Sequence, residues 1–200
     1  MSGYYPSDNQ FINLSIINST GYDINFLSAN INNTYFIDQN INNYSINNSI
    51  INFKDTTYGE IKFLEAINGS GTNLSNDIRI ENNSVTVEST SNSGLNKSAN
   101  ITLYNIGDRG FSNPTILRDG TEDCLADGSC YNFTALNDND IKFNVSYWSN
   151  YGVGEEPNSD PIVASVILNT TNITLNDTNQ DLVGFANSSD NENDLVYYRY

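Results

Sequence analysis

An all-β fold is what this 200-residue chain predicts, and three observations carry the expectation. Ala99 to Asn105 and Asp140 to Trp148 alternate polar with apolar side chains, which at a period of two gives a strand one wet and one dry face. Elsewhere, short apolar pieces are separated by turns rich in Asn and Gly. Two such pieces, Asp77 to Glu81 and Ser84 to Glu88, flank Asn82-Asn83, and Asn supports the positive φ angles of a tight hairpin. The predicted architecture is a β-sandwich module, preceded by β-helix-like or extended strands and followed by an incomplete immunoglobulin-like part.

Residues 1–10 lack periodicity and read as a tail with an exposed aromatic pair, Tyr4 and Tyr5. Residues 11–57 hold Phe11 to Ile17, Tyr22 to Leu27, Asn33 to Ile37 and Tyr44 to Phe53, irregularly spaced and joined by Asn-rich turns. Two arrangements fit them: coils of a right-handed parallel β-helix, in which identical Asn amides at inward turns hydrogen-bond up the stack, or ordinary sandwich strands. Residues 58–151 form the sandwich. Its strands are Tyr58 to Ile67, the hairpin over Asn82-Asn83 and the two alternating segments, with a Gly-rich turn expected at Asn68 to Thr72. Cys124 and Cys130 enclose five residues including Gly128, enough to turn the chain and bring two Cβ atoms within disulfide reach. They lack the two-residue spacing and strand-to-helix setting of a redox pair, so the expected role is local stiffening. Residues 152–161, GVGEEPNSDP, read as a linker by composition. In 162–200, Ile162 to Leu168, Asp181 to Ala186 and Asp194 to Tyr200 are three expected strands, too few to close a second sandwich and open at their edges.

Composition narrows the function classes. Eight basic against 24 acidic residues give a net charge of −16, a field that repels nucleic acid and anionic lipid headgroups. The chain has no histidine, so a Ser-His-Asp triad, a Cys-His pair and a zinc-His site are excluded. No apolar run approaches the length of a membrane span. Met1 to Asp8 carries neither the basic nor the hydrophobic region of a signal peptide, so a secreted protein's signal is expected outside this sequence.

Glycosylation triplets need a statistical test in a chain with 36 Asn and 37 Ser plus Thr. Random order gives about seven Asn-x-Ser/Thr triplets with x other than proline. Sixteen are present, at Asn13, Asn18, Asn32, Asn43, Asn47, Asn68, Asn73, Asn82, Asn96, Asn100, Asn132, Asn144, Asn169, Asn172, Asn176 and Asn187. Strand alternation also places polar residues two apart, but it is blind to direction. The reversed triplet, Ser/Thr-x-Asn, occurs only eight times, which is the random level. The excess therefore follows the direction that an oligosaccharyltransferase reads, and each occupied Asn is expected to face solvent. In Asn100-Ile101-Thr102 and Asn144-Val145-Ser146 the middle residue is then expected in the core.

Three phrases carry a family likeness: Leu95 to Asn105 (LNKSANITLYN), Asn113 to Gly120 (NPTILRDG) near a cysteine pair, and Phe143 to Tyr151 (FNVSYWSNY). Together they resemble a module of large secreted surface proteins of small-genome archaea. In those proteins the module follows β-helix repeats and precedes immunoglobulin-like domains. Ser165 to Thr171 and Asp190 to Tyr200 are similar to the first strands of such a domain, which is incomplete in this sequence. The resemblance implies surface location and architecture rather than an activity. The density of triplets also resembles that of sugar-coated extracellular fibril subunits.

Candidate chemistry is sparse. Asp190, Asn191, Asn193 and Asp194 place four oxygen donors within five residues, a possible calcium loop, yet no bidentate glutamate follows. Asp138 and Asp140 offer less. Two acids some 5–10 Å apart would suffice for glycoside hydrolysis, but sequence cannot pair Glu60, Glu65, Glu81 or Glu88 across a cleft. Trp148, Tyr147 and Tyr151 form either a sugar-stacking platform or the packing centre of the sandwich. The expectation is a non-enzymatic, extracellular or cell-surface subunit without cofactors beyond N-linked glycans. Its partners would be copies of itself, joined head to tail by strand complementation. The alternatives are a carbohydrate-binding or adhesive module of a larger protein and a degraded β-helix polysaccharide lyase.

Overall fold

The computed structural model describes residues 9–17, 20–26, 34–156, 161–170, 182–190 and 196–197. The chain divides into two compact units, Met1–Glu156 and Pro157–Tyr200.

The first unit opens with β1 (Gln10–Ile12), β2 (Ser15–Ile16) and β3 (Ile24–Phe26), followed by β4 (Thr34–Ile37), β5 (Asn40–Ile41) and β6 (Tyr44–Ser49). β1 pairs in parallel with β4, β2 with β5 and β3 with β6, and β4 in turn pairs in parallel with β7 (Ile51–Asp55). Three successive strand positions thus recur in parallel along the N-terminal segment. Within the described strands the side chains that stack are aromatic. Phe11, Phe36 and Phe53 share one register, with ring centroids 5.2 and 5.8 Å apart and nearly parallel planes. The Asn residues of these strands meet other types, as in Asn25 against Ser45, Asn40 against Ser15 and Asn52 against Tyr35.

Beyond β7 the pairing becomes antiparallel. In chain order come β8 (Gly59–Phe63), β9 (Ile67–Gly71), α1 (Leu74–Asp77), β10 (Ile78–Glu81), β11 (Ser84–Val87), β12 (Ala99–Leu103), β13 (Pro114–Arg118), β14 (Glu122–Asp123), β15 (Cys130–Asn132), β16 (Ile141–Val145) and β17 (Asn150–Glu155). A seven-stranded sheet runs β1-β4-β7-β8-β12-β16-β15, and a five-stranded sheet runs β10-β11-β17-β13-β14. The parallel strands β1, β4 and β7 are thus continuous with the larger sheet rather than separate from it. One register row, Phe11, Phe36, Phe53, Ile61, Ile101 and Phe143, crosses six strands, and all but Phe11 are buried. The adjacent row, Gln10, Tyr35, Asn52, Lys62, Asn100, Asn144 and Tyr131, is the outer face of the same sheet. The two sheets share one core, in which Phe143 lies 6.5 Å from Tyr151 and Trp148 packs between Phe63 and Tyr151.

Two expectations from composition are corrected. Asn68 to Thr72 is not a turn, because β9 pairs antiparallel with β6 through Ile67–Gly71. A Cβ on Gly69 would sit 2.8 Å from Leu95, and one on Gly71 would sit 2.8 Å from the Tyr44 ring. Glycine is there for close approach. The same holds for Gly152 and Gly154, which lie in β17 rather than in a linker, against Asn83 and Leu117. The hairpin over Asn82-Asn83 forms as expected, with Glu81 opposite Ser84 and Asn83 at φ 63°.

In the second unit, β18 (Ile162–Thr170) pairs antiparallel with β19 (Leu182–Ser189), with a register shift between Val163 and Ser165. A third strand was expected from Asp194 to Tyr200. All of that segment except Val196 and Tyr197 lies outside the described residues, as does the tail with Tyr4 and Tyr5.

Candidate functional site

The acceptor asparagines and the unpaired strand edges are the features with a stated chemistry. Of the sixteen triplets, Asn18, Asn32, Asn172 and Asn176 lie outside the described residues. Asn13, Asn47, Asn68, Asn82, Asn96, Asn169 and Asn187 are exposed, and Asn43, Asn73, Asn100, Asn132 and Asn144 are half-buried. Among the described residues the one buried asparagine is Asn52, which begins no triplet. Ile101 and Val145, the middle residues of two triplets, are buried while the flanking asparagines point outward.

Several of these amides also hold the fold. Asn73 caps α1, its Oδ1 accepting from the Asn76 N–H at 2.9 Å. Asn96 Oδ1 accepts from the Trp148 N–H at 2.7 Å, tying the loop before β12 to the one after β16. Asn68 Oδ1 accepts from the Asn48 N–H at 2.8 Å where the β6–β9 register shifts. Asn82 Oδ1 accepts from Arg109 at the hairpin tip. On the outer face, Asn144 Nδ2 donates to the Ala99 carbonyl at 3.0 Å and to Asn100 Oδ1 at 3.1 Å.

Three places at sheet edges expose large apolar or aromatic side chains among the described residues. β1 is the last strand on one side of the seven-stranded sheet, and Phe11 and Ile12 on it are exposed. β15 ends the other side, where exposed Tyr131 on the strand and Phe133 just beyond it form an edge-to-face pair. The β18–β19 hairpin exposes Val163, Val166, Ile167, Leu168 and Phe185, with Val166 at 72% and Leu168 at 67%. Ile167 and Leu168 are neighbours on one strand, so their side chains point to opposite faces and both faces of the hairpin are apolar.

Cys124 and Cys130 are disulfide-bonded, with Cα atoms 5.3 Å apart. Their loop is held from inside: Asp123 Oδ1 accepts from the N–H groups of Leu125 and Ala126, Asp127 Oδ1 from that of Ser129, and Gly128 takes φ 74°. Arg118 binds Glu122 and Asp127 and lies over the Tyr147 ring. The hydrogen bond to Glu122 leads in raising the guanidinium's pKa, while the Ser129 side chain and N–H lower that of Asp127. These contacts fix the loop onto β13.

The sugar-stacking platform does not form. Trp148 is 4% exposed and Tyr151 is fully buried, leaving Tyr147 alone at the surface. The four glutamates are likewise not brought together as a pair. Glu60 binds Lys62, Glu65 binds Lys97 and Ser98, Glu81 binds Arg79, and Glu88 accepts from the N–H groups of Thr90 and Ser91. A groove of about 290 Å³ does bring Glu60 and Asp140 near Tyr104, Lys62 and Lys142. There burial, then the two carboxylates, raise the Tyr104 pKa. Asp140 itself accepts from the Asn105 N–H at 3.3 Å and from Asn139. Of the expected calcium loop only Asp190 lies among the described residues, and no group of three or more acidic, Cys or His side chains able to hold a metal occurs among them. No helix among the described residues is long and apolar enough to cross a membrane. No protein-family model, curated protein or solved structure matches this chain significantly.

Proposed function

We propose that the chain is a non-enzymatic structural subunit of an extracellular, heavily N-glycosylated filament or surface assembly, joined to its neighbours by β-strand complementation. The observation that carries this reading is the β18–β19 hairpin, whose apolar side chains are exposed on both faces. An isolated two-stranded sheet is marginal in water, and covering it with further strands removes both the apolar exposure and the open edges. The exposed Phe11 and Ile12 at the β1 edge supply a second surface of the same kind. The strand from Phe11 is a candidate to supply the added pairing. It is already paired with β4, so its role in assembly is to offer its outer edge rather than to leave its own sheet.

Supporting features are the directional excess of glycosylation triplets, the exposed or half-buried placement of every described triplet asparagine, and a disulfide of the kind kept in oxidising compartments. The likeness to archaeal secreted surface proteins points the same way. The carbohydrate-binding alternative loses its platform with the burial of Trp148 and Tyr151. Sedimentation across micromolar concentrations, with electron microscopy of the same samples, tests the proposal. Concentration-dependent oligomers or fibres are expected, reduced by Val166→Lys with Phe185→Lys. Monomers at all concentrations, with the hairpin open to protease, would refute it.

A further inference from the structure

The triplet asparagines differ in which amide atom the fold uses, and that difference bears on where sugar resides. In Asn68, Asn73 and Asn96 the partner is a backbone N–H, which only the amide oxygen can meet. Asn82 uses its oxygen toward Arg109, whose guanidinium has only donors. Among the described residues, none of the four makes a hydrogen bond through Nδ2. Asn144 is the reverse: one partner is the Ala99 carbonyl, which only an N–H can meet, and a second N–H goes to Asn100 Oδ1. Some asparagines that begin no triplet also use the nitrogen within the fold. Asn83 Nδ2 donates to the Val153 carbonyl and Asn150 Nδ2 to Thr86 Oγ1, both at 2.7 Å. Asn113, whose triplet proline disqualifies, donates to Glu156.

Glycan transfer joins sugar C1 to Nδ2 as the C1–O bond to a polyprenyl-phosphate-linked donor breaks. The lipid phosphate leaves with the electron pair, and the amide gives one proton to a base of the transferase. The side chain keeps its carbonyl oxygen and a single N–H. An asparagine that serves the fold through oxygen therefore loses nothing, and Asn132, which donates one hydrogen bond to the Thr134 carbonyl, retains what it needs. Asn144 would lose one of its two cross-strand bonds, at a position flanked by Asn100 and Tyr131 on the neighbouring strands.

Resting on the glycosylated reading above, we propose that Asn68, Asn73, Asn82 and Asn96 carry N-linked glycan in the folded protein while Asn144 stays bare. The test is glycopeptide mass spectrometry of the full chain secreted from a glycosylating host, read site by site. The expected result is high occupancy at the four sites and less than a tenth of it at Asn144. Ser146→Ala, which removes the triplet but leaves the Asn144 hydrogen bonds, is then expected to leave the intact glycoprotein mass unchanged apart from the substitution. Occupancy of Asn144 equal to the others, or loss of one glycan in Ser146→Ala, would overturn this inference and leave the sugar-coated reading standing. A bare polypeptide at every site would overturn both.

Discussion

Tyr44 is the most consequential polar side chain in the core. It is fully buried, its hydroxyl donates to Asp77 Oδ2 at 2.7 Å, and Asn92 donates to it at 3.4 Å. Tyr44→Phe is expected to cost about 1–2 kcal/mol in urea unfolding, since it leaves the Asp77 carboxylate short of a donor. Burial, then the Asp77 hydrogen bond and charge, raise the Tyr44 pKa, and burial pushes Tyr151 up to about 12. Phenols with raised folded values contribute stability that is full below their unfolded value, about 10, and is lost as pH rises through the folded values. Unfolding midpoints should therefore fall above that pH, less steeply in Tyr44→Phe, as phenolate absorbance during alkaline titration would show. Glu155 has the opposite sign. The N–H groups of Ser112 and Asn113 hold its carboxyl below the ordinary range, so its contribution is present above the unfolded value and is lost as pH falls through the folded one. The wild type and Glu155→Gln should converge in stability at low pH. Asparagine has a conformational use too: Asn13, Asn48, Asn83 and Asn105 take positive φ, and only Asn13 among them begins a triplet.

Among the elements, the Phe11-Phe36-Phe53 ladder decides how firmly the N-terminal strands hold. Phe36 touches both neighbours and also Phe26. Phe36→Ala is expected to cost about 3–5 kcal/mol through the cavity it leaves, and hydrogen exchange at Gln10–Ile12 should rise more than at β12. The junction of β8 with β12 tolerates even less. A Cβ on Gly59 would lie 2.2 Å from the Thr102 carbonyl oxygen, so Gly59→Ala must displace backbone and is expected to destabilise by about 1–3 kcal/mol in thermal unfolding. The Cys124–Cys130 link closes a short loop already braced by Asp123 and Asp127. Replacing both cysteines by Ala should cost about 2 kcal/mol in the chain-entropy account, with the strand order unchanged.

On the scale of the whole molecule, stability belongs to the first unit. Its two large sheets share one continuous core that contains Trp148. Among the second unit's residues whose burial is described, none is buried. Ending the chain after Glu156 is expected to leave a cooperative unfolding transition read from Trp148 fluorescence, because its ring partners Phe63 and Tyr151 belong to the same unit. The high acid content has a structural use at this scale. Asp38, Asp55, Asp119, Asp123, Asp127, Glu88 and Glu155 each accept backbone N–H groups at turns and loops, so much of the negative charge organises turns in an all-β chain.

The sequence by itself determined what is local. Alternation in Ala99–Leu103 and Ile141–Val145 set which side chains face the core, because the pleat sends successive residues to opposite faces wherever the strand pairs. Asn82-Asn83 set a hairpin, and the Cys124 to Cys130 spacing set a closed loop. Tertiary structure alone decided which strands meet. The parallel stacking of β1, β4 and β7 depends on contacts between segments far apart in the chain, to which a period of two is indifferent. Gly69, Gly71, Gly152 and Gly154 looked like turn or linker residues, because only a neighbouring strand reveals that the missing side chain makes room for it. The triplets themselves were legible in the sequence. Whether each amide uses its oxygen or its nitrogen was not, since that choice belongs to the partner group the fold brings alongside.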